Sequence, residues 1–314
     1  MGKIRIFNCS HDMALASGVE DYVPPNVVAQ MEEKYAPVME LLDEWYPEGT
    51  PVVWGWNKAL RRKLLRQGVS ADKMPSETEL EILRGLSSRE FWVEYCRQLG
   101  YSYSQVVVRS TESGLLSTDK TQRSDYPLIL KALWSSSGRG NRIIENEEVR
   151  DERLSNWKFP CVVDRFYDKV LDFAMEFMVH KDHVEYLGLS VFKASKEGRY
   201  EYNYVASQDE LRDMIIKSAE RTFGDDQNVV QDADLDALKN RHLELLTKNL
   251  VGKYQGPVGI DMMVCKGERY IHPCVELNLR MNMGILALSF FRLFGDGALR
   301  KMSLESLLDY LNSR

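Results

Sequence analysis

Residues 259–280 read GIDMMVCKGERYIHPCVELNLR, and they divide into a strand, a polar turn and a second strand. In the second strand Glu276, Asn278 and Arg280 are spaced two residues apart, so their side chains leave the strand on one face. If the polar turn closes a hairpin, Asp261 on the first strand comes near Glu276. The pattern therefore predicts two carboxylates, an amide oxygen and a guanidinium on one small surface.

This set of polar groups has two interpretations. Two carboxylates and an amide oxygen are hard ligands of the kind that Mg²⁺ prefers, and Arg280 adds positive charge where the oxygens of a polyphosphate would lie. The simpler interpretation is that one face of an alternating strand is exposed to solvent, and that Glu276, Asn278 and Arg280 are only surface residues on that face. An isolated triplet of this kind does not decide between the two interpretations.

A second element lies upstream, where residues 126–144 read YPLILKALWSSSGRGNRII. An apolar strand ends in Lys131 and is followed by a Ser/Gly loop and another short strand. Backbone N–H groups in such a loop can approach phosphate oxygens closely, because Gly138 and Gly140 can adopt positive φ. The serines at 135–137 add hydroxyl donors, and the lysine adds a point charge. Taken alone, the loop could also be an ordinary flexible turn.

The two elements together resemble the ATP-grasp superfamily over residues 86–314. The chain has neither a Walker motif nor a Rossmann glycine fingerprint that opens a helix after a strand. The Ser/Gly loop runs from strand to strand instead. The resemblance implies an α/β (α+β) fold in which two α+β subdomains clasp the nucleotide, after a small Rossmann-like α/β domain. The predicted boundaries are 1–85 for the preceding domain, 86–165 for the subdomain with the flap and 166–314 for the subdomain with the metal site.

The resemblance also implies where ATP would bind. Lys131 would contact the phosphates, and the Ser/Gly loop would be the flap that closes over them. The strand PCVVDRFYD, residues 160–168, is similar to the hinge strand that contacts adenine, with an aspartate where the family usually has a glutamate. Asp172 would contact the ribose. The candidate nucleotide-binding residues are therefore Lys131, Ser135, Ser136, Ser137, Gly138, Arg139, Gly140, Asp164, Arg165, Phe166 and Asp172.

The hairpin residues match the metal and catalytic positions of the family. Asp261, Glu276 and Asn278 would be the metal ligands, for two Mg²⁺ ions with Mn²⁺ as an alternative. Arg280 would steady the reacting phosphoryl or acyl phosphate group. Together with Lys131, this arginine is a candidate catalytic residue.

Four other residues are open to more than one interpretation. Arg89 stands at a helix start where the family commonly has a lysine, and it also suits a purely structural role there. His11 and Asp12 follow the first strand, at a position where α/β sheets often bind ligands, although Ser10 or Asp12 could simply cap a following turn or short helix. Strict alternation would place His272 on the same face as Glu276, whereas a single histidine is often structural.

The activity that the resemblance implies is that of an ADP-forming ligase that uses ATP and magnesium to join a carboxylate to an amine through an acyl phosphate. Its partners would be small-molecule or peptide carboxylates and amines. A kinase or phosphotransferase on the same fold is an alternative, and so is a non-catalytic ATP-binding module. Many members are dimers or tetramers, so a homodimer is compatible with the resemblance and the oligomeric state stays open.

Composition agrees with an intracellular enzyme. The chain has 314 residues, of which 44% are hydrophobic, which allows a large core. A net charge of −6 argues against a general nucleic-acid binder. The five cysteines are scattered without a C-x-x-C pair and are interpreted as reduced thiols. Since no apolar run approaches the ~20 residues of a membrane span and no signal peptide is recognisable, we expect a cytoplasmic protein without a membrane or nucleic-acid partner.

Overall fold

The computed structural model of the chain describes residues 3–100, 106–109, 126–135, 140–154, 157–195, 198–223, 231–266, 271–295 and 297–314. Within these ranges the chain forms twelve strands and ten α-helices. The strands are β1 (Arg5–Ile6), β2 (Val52–Val53), β3 (Val106–Val108), β4 (Leu128–Ala132), β5 (Arg142–Ile144), β6 (Cys161–Arg165), β7 (Lys169–Val179), β8 (Val184–Ala194), β9 (Tyr200–Tyr204), β10 (Gly256–Cys265), β11 (Ile271–Asn278) and β12 (Lys301–Met302). The helices are α1 (His11–Ser17), α2 (Asn26–Tyr35), α3 (Lys58–Arg66), α4 (Glu77–Leu86), α5 (Arg89–Gln98), α6 (Arg150–Leu154), α7 (Gln208–Phe223), α8 (Asp232–Leu250), α9 (Met283–Phe294) and α10 (Leu304–Asn312).

The strands form three separate sheets. The first pairs β1 with β2 in parallel and belongs to the N-terminal unit. The second has the order β3-β6-β4-β5, and the third has the order β11-β10-β7-β8-β9-β12. Neighbouring strands are antiparallel in both of these larger sheets. The predicted mixed fold, a small α/β unit followed by two α+β layers, is confirmed.

The hairpin of β10 and β11 forms as the sequence pattern predicts. Asp261 lies opposite Glu276, and Gly259 lies opposite Asn278. On its other side β10 pairs with β7 over most of its length, so the hairpin is anchored in the large sheet, with β11 at the edge. Asp261 therefore lies on a strand that is hydrogen-bonded on both sides, and Glu276 and Asn278 lie on the edge strand paired to it.

Two apolar cores hold the layers together. One packs α5, α7 and α8 on the large sheet, and Trp92, Phe177 and Leu246 are among its buried members. The other joins the N-terminal unit to α9 and α10, and Trp54 and Phe290 are among its buried members. Because buried apolar area stabilises both contacts, the N-terminal unit is fixed against the subdomain that carries β10 and β11. The boundaries of the three predicted domains stay predictions.

Two helical segments are interrupted or short. Helix α2 is followed directly by a 3₁₀ helix at Ala36–Trp45. Pro37 lies at this junction and lacks the N–H that a continuing α-helix would need. Helix α6 covers only Arg150–Leu154. None of the helices in the described ranges is long and apolar enough to cross a membrane.

Candidate active site

The four predicted residues of the hairpin lie in one network of contacts. Asn278 Nδ2 donates a hydrogen bond to Asp261 Oδ2 at 3.1 Å. Arg280 Nη2 donates in turn to Asn278 Oδ1 at 2.9 Å. Glu276 is the cross-strand neighbour of Asp261. The structure thus brings the four together, while their roles as metal ligands and catalytic arginine stay predictions.

The two carboxylates of the hairpin repel each other. Burial raises the pKa of Asp261 well above its usual range, and the charges of Glu276 and Glu176 raise it further. A divalent cation beside Asp261 and Glu276 would relieve this repulsion, so the donor set fits a hard cation. Among the residues that the structure describes, no group of three or more His, Cys, Asp or Glu is arranged to hold a metal ion. A metal site here would therefore depend on the two carboxylates together with the amide oxygen of Asn278.

Arg89 connects the hairpin to Ser135, at the start of the Ser/Gly loop. Its side chain is buried, with the residue 4% exposed, and its guanidinium forms an ion pair with Glu276. The same guanidinium donates to Ser135 Oγ at 2.9 Å, to Ser135 O at 3.2 Å and to the carbonyl of Ala132. The residue begins α5, whose N-cap is the Ser88 hydroxyl. Arg89 therefore does more than start a helix, because it links β4 to β11.

Asp12 contacts Arg280, just beyond the end of β11, rather than capping its own helix. Its Oδ2 accepts a hydrogen bond from Arg280 Nε at 2.9 Å, within an ion pair whose side chains are 17% and 12% exposed. No side-chain hydrogen bond caps the start of α1. The interpretation of Asp12 as a turn cap is therefore wrong. Through this contact the N-terminal unit reaches the candidate catalytic arginine.

His11 is buried next to the same contact. Its Nδ1 lies 3.5 Å from Asn57 Nδ2, and a Cβ on Gly55 would come within 2.6 Å of the imidazole ring. Burial lowers the pKa of His11 to about 4, with an opposing effect from Asp12 and a further lowering by Arg280. The imidazole is therefore neutral at neutral pH, so a substrate contact by His11 would have to be made without charge.

Lys131 and Asp164, predicted at the phosphates and at adenine, contact each other. Lys131 Nζ lies 3.3 Å from Asp164 Oδ2, and both side chains are buried. The ammonium also lies 4.8 Å from the centre of the Trp92 ring. The other carboxylate oxygen of Asp164 accepts from the Arg165 N–H at 2.7 Å. Contacts within the protein therefore fix the positions of the Lys131 and Asp164 side chains.

The remaining candidate nucleotide contacts lie along β6 and β7. The Phe166 N–H donates to the Pro127 carbonyl at 2.8 Å. Asp172 forms an ion pair with Lys169 at 2.7 Å, and burial raises the pKa of the Asp172 carboxyl.

The other candidates belong to the Ser/Gly loop between β4 and β5. Ser135 contacts Arg89, and Gly140 has the predicted positive φ, at 79°. The other loop candidates lie outside the described residues: Ser136, Ser137, Gly138 and Arg139.

His272 lies beyond an irregularity in the hairpin. Asp261 pairs with Glu276, but the next cross-strand pair is Met263 with His272, so β11 bulges between these two pairs. Strict alternation, on which a shared face with Glu276 was predicted, does not apply across a bulge. The imidazole is fully buried and packs edge-on against Tyr167, with ring centres 4.9 Å apart.

Glu176 and Asn282 are site neighbours that the sequence patterns did not single out. Glu176 is a buried acid in β7, and burial raises its pKa to about 7 against opposing effects of Asn282, Ser190 and Arg280. Asn282 donates a hydrogen bond to it. The available signal was one acid inside the apolar run FAMEFMV, residues 173–179.

Comparisons with known proteins give matches only among solved structures. No family model and no curated protein matches the sequence. The chain is similar to an L-amino acid ligase from Bacillus licheniformis, with 14% identity, a TM-score of 0.48 and coverage of 86% of this chain and 59% of that one. It is also similar to a carboxyaminoimidazole ribonucleotide synthase from Aspergillus clavatus complexed with ATP, with 16% identity, a TM-score of 0.46 and coverage of 76% and 60%.

A third match is an N5-carboxyaminoimidazole synthetase from Staphylococcus aureus, with 12% identity, a TM-score of 0.41 and coverage of 65% of this chain and 51% of that one. The matched region thus spans less than two thirds of each of these three chains. Likeness at this level concerns the fold and does not establish an activity.

Proposed function

We propose that the protein is an ATP-dependent ligase of the ATP-grasp type, which joins a carboxylate to an amine through an acyl phosphate and releases ADP. The observation that best supports this proposal is the contact network of the β10–β11 hairpin. In it Asp261, Asn278 and Arg280 are linked by hydrogen bonds. Glu276 lies opposite Asp261 and is tied by Arg89 to the root of the flap loop.

The chemistry explains why these groups are needed. A carboxylate is a poor acyl donor until one oxygen is phosphorylated, and phosphoryl transfer depends on positioning and on neutralising charge. Mg²⁺, when held by Asp261, Glu276 and Asn278, would supply neutralisation of the phosphate oxygens. Arg280 would stabilise the negative charge of the transferring group and of the tetrahedral intermediate that follows attack by the amine.

Two arginines already contact groups that the proposed site would use. Arg89 pairs with Glu276, and Arg280 donates to the amide oxygen of Asn278. Guanidinium groups bind phosphate as well as carboxylate, often through two parallel hydrogen bonds. We therefore propose that both arginines turn from these protein oxygens to the nucleotide or acyl phosphate when substrates bind.

Lys131→Met is expected to weaken ATP binding by about tenfold or more, because the phosphates lose a cation. Methionine keeps the length of the side chain and its packing near Trp92. Since removal of the ammonium leaves the buried Asp164 without this partner, the double variant Lys131→Met/Asp164→Asn is the matched control for stability. Titration calorimetry with ATP and Mg²⁺ measures the affinity. Unchanged affinity in a folded Lys131→Met protein would contradict the proposed phosphate contact.

The proposed function is tested first by calorimetry of ATP binding with and without Mg²⁺, on the wild type and on Glu276→Ala. We expect binding that depends on magnesium in the wild type and is lost in the variant. Absence of ATP binding in the wild type would overturn the proposal. If ATP binds, pairs of an acid and an amine are then screened for ADP release. A ligase needs both the acid and the amine to form its product, whereas a kinase needs no amine.

A further inference from the structure

Glu176 is a buried acid that the proposed reaction does not use. It lies in the middle of β7 and is 1% exposed, between Gly259 of β10 and Gly188 of β8. Its Oε1 accepts a hydrogen bond from Ser190 Oγ at 2.9 Å, and its Oε2 accepts one from Asn282 Nδ2 at 2.7 Å. A buried carboxylate is costly unless such partners stabilise it. Each oxygen of Glu176 is therefore held by a specific donor.

Two glycines leave room for this carboxylate. A Cβ on Gly284 would overlap Glu176 Oε1, and a Cβ on Gly259 would lie 2.8 Å from Oε2. The first glycine is in α9 and the second is in β10. Two separate elements thus lack a side chain where they approach the Glu176 carboxylate.

Asn282 joins the acid to the start of α9. It is the N-cap of this helix, and its Oδ1 accepts a hydrogen bond from the Ile285 N–H at 2.9 Å. Its Nδ2 is thereby free to point the other way, toward Glu176. One side chain thus both caps the helix and ties it to the sheet.

The segment 280–282 is held at three successive residues. The Arg280 side chain pairs with Asp12, and the Met281 N–H donates to the Trp54 carbonyl at 2.8 Å. The third contact is that of Asn282 with Glu176. Two of the three contacts reach the N-terminal unit, and the third reaches the large sheet. The Arg280 guanidinium also contacts the large sheet directly, through Asn278 Oδ1 on β11. The contact of Asn282 with Glu176 therefore adds a second connection, which holds the backbone next to Arg280 against β7.

We infer that Glu176 is a positioning residue, which acts through Asn282 to hold the backbone that carries Arg280. This inference rests on the proposed function, in which Arg280 stabilises the transferring phosphoryl group. A polar contact of defined geometry selects one arrangement of the turn, whereas an apolar contact would allow sliding.

The test compares Glu176→Ala with Asn282→Ser. Serine still accepts a hydrogen bond from the helix start, but it lacks the amide donor to Glu176. We expect each variant to lower kcat for ADP formation by about 100-fold, since a small misplacement of a catalytic group has effects of this size. The KM for ATP should change by less than about threefold, because the contact is not to the nucleotide. The double variant should be no slower than the slower single variant.

Two variants serve as controls. Glu176→Gln keeps an acceptor for Asn282 and should retain kcat within about threefold of the wild type. Ser190→Ala removes the other hydrogen bond of Glu176 and leaves the contact with Asn282 intact, so it should also retain kcat within about threefold of the wild type. Multiplying effects in the double variant would overturn the inference, and so would a failure of Glu176→Gln to restore turnover.

A second readout separates this inference from the proposed function. Amide hydrogen exchange at residues 280–286 of the free protein requires no substrate. We expect faster exchange in Glu176→Ala and Asn282→Ser than in the wild type, and wild-type exchange in Glu176→Gln and Ser190→Ala. If the variants show this exchange pattern but the wild type does not turn over ATP, the proposed function is overturned. The contact of Asn282 with Glu176 would then exist without a role in catalysis. Equal exchange in all variants would overturn the contact itself.

Discussion

Arg280→Lys is expected to lower the rate of ADP formation by about 1,000-fold, the range found when a preorganised cation or donor at a transferring phosphoryl or acyl group is lost. The guanidinium of Arg280 spans Asp12 on one side and Asn278 on the other. A lysine ammonium keeps the charge as a single point and cannot present the same planar fork. The rate is measured as ADP release with ATP, Mg²⁺ and the acid and amine pair that supports the wild-type reaction.

A matched control for this substitution is Arg292→Lys. Arg292 is on α9, a short distance along the chain, and its side chain is 44% exposed beside Glu44. We expect this variant to keep wild-type turnover, because exposed ion pairs contribute little. Turnover in Arg280→Lys that equals the Arg292→Lys value, with both proteins folded, would remove Arg280 from the mechanism.

Glu276→Gln is the second substitution with a large expected effect. It leaves Asp261 as the one carboxylate of the proposed metal site, and we expect a loss of magnesium-dependent turnover of about 1,000-fold or more. Glutamine has the same size, and Arg89 keeps its hydrogen bonds to Ser135 and Ala132. The dependence of the rate on Mg²⁺ concentration measures the effect.

Asn278→Ala tests the same metal site without disturbing Arg89, and it should also abolish metal-dependent turnover. Glu244→Gln is the control, since Glu244 is an exposed acid on α8 paired with Arg241. Retained activity in both Glu276→Gln and Asn278→Ala would show that the proposed metal ligands are misassigned. Loss of activity in Glu244→Gln as well would indicate a general effect of charge on the assay.

The hairpin could be predicted from the sequence because its pattern is local. Glu276, Asn278 and Arg280 alternate with leucines, and a period of two assigns side chains to faces wherever a strand forms. The same pattern did not reveal the bulge between Glu276 and His272. A bulge depends on how the strand pairs with its partner, and the alternation along one strand does not specify that pairing.

The sequence by itself determined that the β10–β11 hairpin forms and that it brings Asp261, Glu276, Asn278 and Arg280 together, since the alternation along a strand depends on near neighbours in the chain. Only the tertiary structure decided the partners of the charged groups. Arg89 and Glu276 are 187 residues apart, and Asp12 and Arg280 are 268 residues apart. Many acids could pair with either arginine, and the choice is made when packing of the apolar cores removes these side chains from water, because a buried charge must then have a partner within reach.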